Sequence, residues 1–466
     1  MIKLTTRGCM NGASIERTLL SKTALVGSLA AVSLLSTSPA FSQEIVTEDT
    51  TLSGIVDTLY GDVGVGSPNG VTLTIDDGSD IFVDGGVAIG FKEGFEDGVP
   101  AGDKGSVIVK GQDTNVAVSQ EIMLGFGGEG TLSVLDGAAV AAEETLLGKF
   151  PGGSGTLIVD GVNSSLLSGV TFLGEGAGTF GELQVANGGT FLSAMVAVGG
   201  QGDQGAGGSG EVAISNNGYA VSIATVIGEG TGATGNVTVS GLGSSWDFVT
   251  KYMASVISGI PEEEIDNPLL EQEGTVVLGQ FAGSTGNLNI TEGGRVSSFD
   301  GFIGGNKSEY YEGDETGGTG NVFVSGDGST WSNFGRLTVG STGTGSLKIN
   351  DGGSVTTSDM IIGDEPSGNG SVSVSGAGSK LDVSERLAVG GGGEGTLTIS
   401  DGAVVSVQDG MGTVELGAKG TINIGAAKVM KPQRLATFLQ AISTSPKLVG
   451  FWCLTTPVTT THLMQA

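Results

Sequence analysis

Residues able to do acid–base or ligand chemistry are few in kind and repetitive in place. Asp136, Asp351 and Asp401 each precede a glycine at one recurring position. A carboxylate of this sort serves as general acid or base when two converge on a substrate. Recurrence at a single turn position argues instead for turn chemistry, because Asp tolerates tight-turn backbone and bonds its own main chain. The single histidine, His462, follows every repeat of the chain, so no His-dependent triad can be assembled in the body. The only cysteines are Cys9 and Cys453. Without histidine or cysteine, the body lacks the usual zinc ligands and any disulfide framework. Gly390 to Gly393 is glycine-rich, but no Gly-Lys-Ser/Thr ending follows, and a phosphate loop needs one. The calcium-binding nonapeptide does not recur, and Gly200 to Gly208 is only a loose echo of it. No catalytic, metal-binding or cofactor-binding residue is therefore assigned, and no cofactor is expected.

Composition says what must position these residues. Of 466 residues 87 are Gly, 5% are aromatic and 15% charged, and the formal charge is -30. Nucleic acid is bound through Lys and Arg neutralising phosphates, so this balance excludes it as a partner. A mean hydropathy of +0.19 is too apolar for a disordered acidic chain. Glycine keeps no three-residue period and there are only 10 Pro, which excludes collagen.

Charge also divides the chain. Residues 1–42 carry four basic residues and one acidic residue, and 428–466 carry four basic and none acidic, leaving 49 acidic against 12 basic in the body. Lys3, Arg7, Arg17 and Lys22 precede an apolar run from Thr23 to Leu35, and Ser36 to Pro39 breaks it before Ala40-Phe41-Ser42. That order reads as a signal peptide over 1–42, cleaved before Gln43. The run is shorter than the roughly 20 residues that span a bilayer. The body is 43–427. The basic segment 428–466 reads as an atypical tail, in keeping with a shifted reading frame.

Internal repetition decides the fold class. A Gly-x-(Leu/Val)-x-(Val/Ile) beat opens at Gly105, Gly130, Gly155, Gly181, Gly210, Gly235, Gly286, Gly320, Gly345, Gly370 and Gly395. Six of the ten spacings are 25 residues, and the second and fourth positions after every glycine are Leu, Val or Ile. A weaker copy surrounds Leu73 and Ile75. Two unit types alternate. One has Asp-Gly before its middle beat, with Val140, Phe191, Val296, Val355 or Val405 ten residues after the opening glycine. The other has a longer Ser-Gly-x-Gly-Ser-like turn, with Val116, Leu166, Trp246, Trp331 or Leu381 at the eleventh residue. That shared register marks Trp246 and Trp331 as interior packing rather than carbohydrate-stacking platforms. Period-2 alternation of branched residues between Gly, Asn and Asp turns predicts strands. Three short strands per unit predict an all-β, right-handed parallel β-helix (solenoid) of about twelve coils of roughly 25 residues. A propeller blade needs about 40–50 residues.

The units GSLKINDGGSV at Gly345, GSVSVSGAGSKL at Gly370 and GTLTISDGAVV at Gly395 resemble the repeats of bacterial autotransporter (type V secretion) passengers. The long leader and Ile422-Asn423-Ile424-Gly425-Ala426-Ala427 are similar to that family as well. The resemblance covers about 50–427 and implies an exported passenger, a cell-surface adhesin or structural surface protein without enzymatic activity. Host surface or extracellular matrix molecules, or other cells, are the partners it implies. It also implies a C-terminal outer-membrane β-barrel translocator of roughly 250 to 300 residues, for which the 39 residues after Ala427 have no series of membrane strands. On that reading the barrel is missing and the chain is truncated. Export then leads to the cell surface or medium by family resemblance, or ends in the periplasm if the chain is complete as given. A polysaccharide-acting β-helix enzyme and a non-functional remnant are the alternatives. The only body arginines, Arg295, Arg336 and Arg386, suit an anionic polymer poorly. Inserts at about 91–104, 247–273 and 305–319 break the register and are the contact candidates, since loops on rigid scaffolds carry function. The middle one holds Tyr252, Met253, Ile257 and Glu262-Glu263-Glu264, with room for a short helix, and the third holds Tyr310-Tyr311-Glu312.

Overall fold

Val, Leu and Ile on alternate residues favour the extended backbone, and they put every second side chain on one face. No single 25-residue unit can bury that face by itself, so copies must stack. The computed structural model describes residues 2–5, 16–19, 44–90, 102–200, 206–248, 274–306 and 316–425. The tail from Lys428, most of the leader and the greater part of the three inserts lie outside the described residues. Within the leader, Ile2–Thr5 and Glu16–Leu19 pair antiparallel. The chain is an all-β parallel solenoid of about 13 turns, with no α-helix among the described residues.

Two compact units divide it, residues 1–237 with 243–276 and residues 238–242 with 277–466. In the first, Lys104–Lys110 pairs in parallel with Glu129–Leu135, then come Ser154–Asp160, Phe180–Ala186 and Ser209–Ser215. Opening glycine faces opening glycine on every rung. Val107, Leu132, Leu157, Leu183 and Val212 thus form one inward column, none more than 5% exposed. In the second unit Thr285–Thr291, Thr319–Ser325, Thr344–Asn350, Asn369–Ser375, Glu394–Ser400 and Gly420–Ile424 repeat the arrangement. Their column is Leu288, Val322, Leu347, Val372, Leu397 and Ile422, all buried. The opening glycine is needed because the preceding corner packs on it: a Cβ at Gly130 would run into the Ile89 carbonyl and the Gly125 amide.

The structure departs from the sequence reading in two respects. Two further opening strands exist, Thr50–Ser53 on Val71–Asp76 and Gly420–Ile424 on Glu394–Ser400. The first escaped notice because its segment has one aliphatic residue, Leu52, where other copies have two. The second and third beats also run as single bent strands in several coils, such as Ala139–Leu147, Ser165–Leu173 and Ser354–Ile362. At the bend the alternation slips by one residue, as the order of buried and half-buried residues along each strand shows, and between Thr357 and Asp359 the pairing with Lys380–Val389 shifts by one residue as well.

The two unit types interlock. Val116, Val140, Leu166 and Phe191 stand opposite one another in turn, so the tenth residue of one type meets the eleventh of the other. The longer turn ends in a fully buried hydroxyl. Ser164 Oγ donates to the Asp160 carbonyl at 2.6 Å and accepts the Gly137 amide of the preceding coil at 2.9 Å. Thr114 accepts from Gly78 at 3.0 Å, Ser244 from Asn217 at 3.2 Å, Ser329 from Gly293 at 3.0 Å and Ser379 from Gly352 at 3.1 Å. All five hydroxyl residues have 0% exposure. Each satisfies a turn amide that stacking has removed from water. Alternation of the turns is therefore a pairing of donor and acceptor between neighbouring coils.

Ser164→Ala orphans the Gly137 amide and is expected to cost ~1–3 kcal/mol, read as a lower urea midpoint. Ser164→Thr should stay near the parent value, since Thr114 fills the equivalent place. Equal midpoints for the parent and the alanine variant would refute the staple.

Candidate functional site

The recurring aspartates are turn residues. Asp136, Asp351 and Asp401 have φ of 55°, 51° and 53°, and the glycines after them have 91°, 90° and 83°. Two successive left-handed residues make the tight turn that Asn, Asp and Gly tolerate best. Asn187 and Glu292 hold the same place with φ of 54° and 55°, so the position selects backbone shape and not one ionisable group. The Asp351 carboxylate also accepts from Ser325 Oγ at 3.3 Å and Asn350 Nδ2 at 3.1 Å.

Around Asp136 the turns of successive coils enclose an open depression of about 590 Å³, lined by Asp76, Asp77, Lys110, Gln112 and Asp113 among others. Lys110 Nζ lies 3.6 Å from Asp76 Oδ2. Among the described residues no group of three or more His, Cys, Asp or Glu is arranged to hold a metal ion.

Trp246 and Trp331 are fully buried inside their coils. Each indole N–H donates to a serine, Ser222 or Ser298, at 3.0 Å. The Trp246 ring stacks on Phe248, with centroids 5.3 Å apart. Sequence reading missed the polar lining of the bend that receives these indoles. Ser298 Oγ donates to Asn333 Oδ1 at 2.8 Å, and Asn333 Nδ2 donates to Thr357 Oγ1 at 3.1 Å. Thr357 Oγ1 closes the chain on the Asp359 carbonyl at 2.9 Å. In the first unit Thr145 donates to Ser168, and Ser168 to the Val170 carbonyl. Ser or Thr at this place in several coils, as at Ser168, Ser193, Ser222, Ser298 and Thr357, was the available signal.

The exterior is not uniformly acidic. In the second unit Arg336 stands opposite Asp359, and Asp359 opposite Arg386. The Arg386 guanidinium lies 3.6 Å from both Asp359 and Glu415, and Asp300 accepts the Arg336 amide at 2.6 Å. Signs alternate along this column. On the same unit Phe299 and Phe334 are exposed just after the paired residues Ser298 and Asn333.

The first unit differs. Glu121 stands opposite Glu144, and the Glu144 carboxyl is held above the usual range, first by burial and then by the Glu121 charge, with Lys149 opposing. Burial, with the charge and hydrogen bond of Asp247, pushes the Tyr219 hydroxyl up to about 12. The outward positions of its last beats are apolar: Met123, Leu146, Phe172 and Ala197 stand in successive register.

No family model and no curated protein matches the sequence. Among solved structures the chain is similar to the "Crystal structure of TibC-catalyzed hyper-glycosylated TibA55-350 fragment", with 14% identity over 82% of this chain and 100% of that one, at a TM-score of 0.38. At that score the likeness carries no functional weight.

Two outcomes follow from this geometry. Asp351→Gly should be close to neutral, whereas Asp351→Val, a branched residue forced to positive φ, should cost ~1–2 kcal/mol in denaturant unfolding. The reverse order would remove the turn role. For Glu144 the folded state holds its proton to higher pH than the unfolded chain, so stability falls as pH rises through that window. Glu144→Gln is expected to raise the unfolding free energy at pH 7 by the ~0.2–1 kcal/mol of a like-charge cross-strand pair, read as a higher urea midpoint. That gain should vanish below about pH 4, where both forms are neutral.

Proposed function

We propose that the chain is an exported surface protein that works by presenting binding surface, as an adhesin or structural surface element, and not as an enzyme. The observation that supports this most directly is the division of labour within each coil. Inward columns, turn aspartates and hydroxyl staples are spent on stacking, while the outward residues vary from rung to rung. A parallel ladder rising about 4.8 Å per coil holds those outward residues at fixed spacing. The signal-like leader and the passenger-like repeats at Gly345, Gly370 and Gly395 agree with export. Host surface or matrix molecules, or other cells, are the partners this reading calls for. Phe299 and Phe334 are the exposed aromatic pair through which contact is tested.

Purified 43–427 is expected to bind immobilised matrix proteins or cultured cells saturably. Phe299→Ser with Phe334→Ser should weaken that binding tenfold or more while the urea midpoint moves little. Release of oligosaccharides with turnover from a polysaccharide panel, without saturable binding, would overturn the reading in favour of an enzyme.

A further inference from the structure

A turn amide taken from water by stacking needs an acceptor. In the first unit the longer turn of the next coil supplies it as a hydroxyl: Thr114 for Gly78, Ser164 for Gly137 and Ser244 for Asn217. From Asp77 to Ser244 the short and long turns alternate except at one place. The coil of Asn187-Gly188 is followed by a second short turn, Ser215-Asn216-Asn217-Gly218. Strand register shows what is lost there. Ser165 stands opposite Thr190, and Thr190 opposite Tyr219, so Gly218 holds the place at which Ser164 carries its hydroxyl. A serine would not fit, because a Cβ on Gly218 would meet the Val185 carbonyl. The Gly188 amide accordingly has no acceptor among the described residues.

The residue before this unheld amide is Asn187, and its side chain is exposed. Glycine has no side chain to block the approach of its own nitrogen to the preceding carboxamide. We propose that Asn187-Gly188 is a self-modification site, where the asparagine passes through a cyclic imide to aspartate and isoaspartate. The Gly188 nitrogen bonds to Asn187 Cγ. The Cγ–Nδ2 bond breaks, and the carboxamide nitrogen leaves as ammonia with the amide proton. Water is the only co-reactant: it adds to either carbonyl of the imide and reopens the ring. Three other Asn-Gly pairs lie in the body, and each has its glycine held. Gly70 donates to the Ser67 carbonyl at 3.0 Å, and Gly218 to the Ser215 carbonyl at 2.8 Å. Gly370 is buried in the ladder between Gly345 and Gly395.

The conversion has a local consequence. Asn187 Nδ2 donates to Asp160 Oδ2 at 2.7 Å, so the product sets carboxylate against carboxylate one rung apart, where like charges repel. The isoaspartyl form also adds a methylene to the main chain of a turn that the Gly189 amide closes on the Ala186 carbonyl at 2.9 Å. Aspartate itself suits the turn, since Asp136, Asp351 and Asp401 hold the same place at similar φ.

The folded full-length chain is incubated at mildly alkaline pH and its peptides are mapped by mass spectrometry. Conversion at Asn187 should outrun that at Asn69, Asn217 and Asn369 by at least about fivefold, the rate factor of the ~1 kcal/mol lost when a held amide is freed. In concentrated urea, where no amide is held, the four rates should converge. A pair of substitutions isolates the hydroxyl. Asp136→Asn places an Asn-Gly pair on a turn whose glycine amide Ser164 holds, and its conversion should be slow. Adding Ser164→Ala should bring that conversion to within a few-fold of Asn187. Should the double variant fail to fold, Asp351→Asn with Ser379→Ala repeats the test at Gly352. Equal rates at Asn187 and the three held sites in the folded chain overturn the proposal. So does rapid conversion in Asp136→Asn while Ser164 is intact.

Discussion

In-register stacking of one short beat, Gly-x-aliphatic-x-aliphatic, is the constraint on which everything else in this chain depends. Because side chains alternate with period 2, a slip of one residue would turn Val107, Leu132 and Leu157 outward together and expose the whole column. A slip of a full unit would change nothing locally, which is why the turns must carry information as well. The hydroxyl staples supply it. A coil with the longer turn satisfies an amide of the Asp-Gly coil before it, as Ser164 does for Gly137 and Ser379 for Gly352. Two alternating turn types thereby make neighbours non-equivalent while the interior remains uniform.

Stacking brings a penalty that ordinary sheets meet only locally. Each outward residue has its counterpart one rung away, at the separation where like charges repel and opposite charges attract. The column Arg336, Asp359, Arg386 alternates sign and turns that proximity into attraction. Glu121 above Glu144 does not, and part of the Glu144 carboxylate's difficulty is met by Lys149. An acidic chain with 12 basic body residues cannot alternate everywhere. Its carboxylates accordingly appear at turn corners, where Asp351 and Asp401 bond to neighbouring hydroxyls.

What was legible in the sequence is what repeats along one face. The inward columns, the interior place of Trp246 and Trp331 and the turn role of Asp136, Asp351 and Asp401 all follow from spacing. The staples were not legible, because a serine in a turn is ordinary in so glycine-rich a chain and the amide that donates to it lies 27 residues away. The first coil was hidden because Leu52 stands alone. The outer apolar face was hidden for another reason. Leu146 and Phe172 sit directly beside inward Leu147 and Leu173, so a run of apolar residues reads as one buried beat, and only the pleat reveals that two faces are involved. No binding residue could be assigned at all, since a site on such a scaffold is composed across rungs and not along a segment.

That last point has a physical root. The free energy of a solenoid is held in its inner columns and in the contacts between neighbouring coils. Outer columns contribute little provided they do not repel, so they can diverge without unfolding the chain. The two units demonstrate the range within one sequence: similar inner columns carry an alternating charge column on one and a contiguous apolar face on the other. Architecture is thus strongly determined by sequence here while recognition is weakly determined, and the two are separable in space. What such a scaffold offers a partner is therefore its outward surface, composed rung by rung and free to change while the inner columns stay the same.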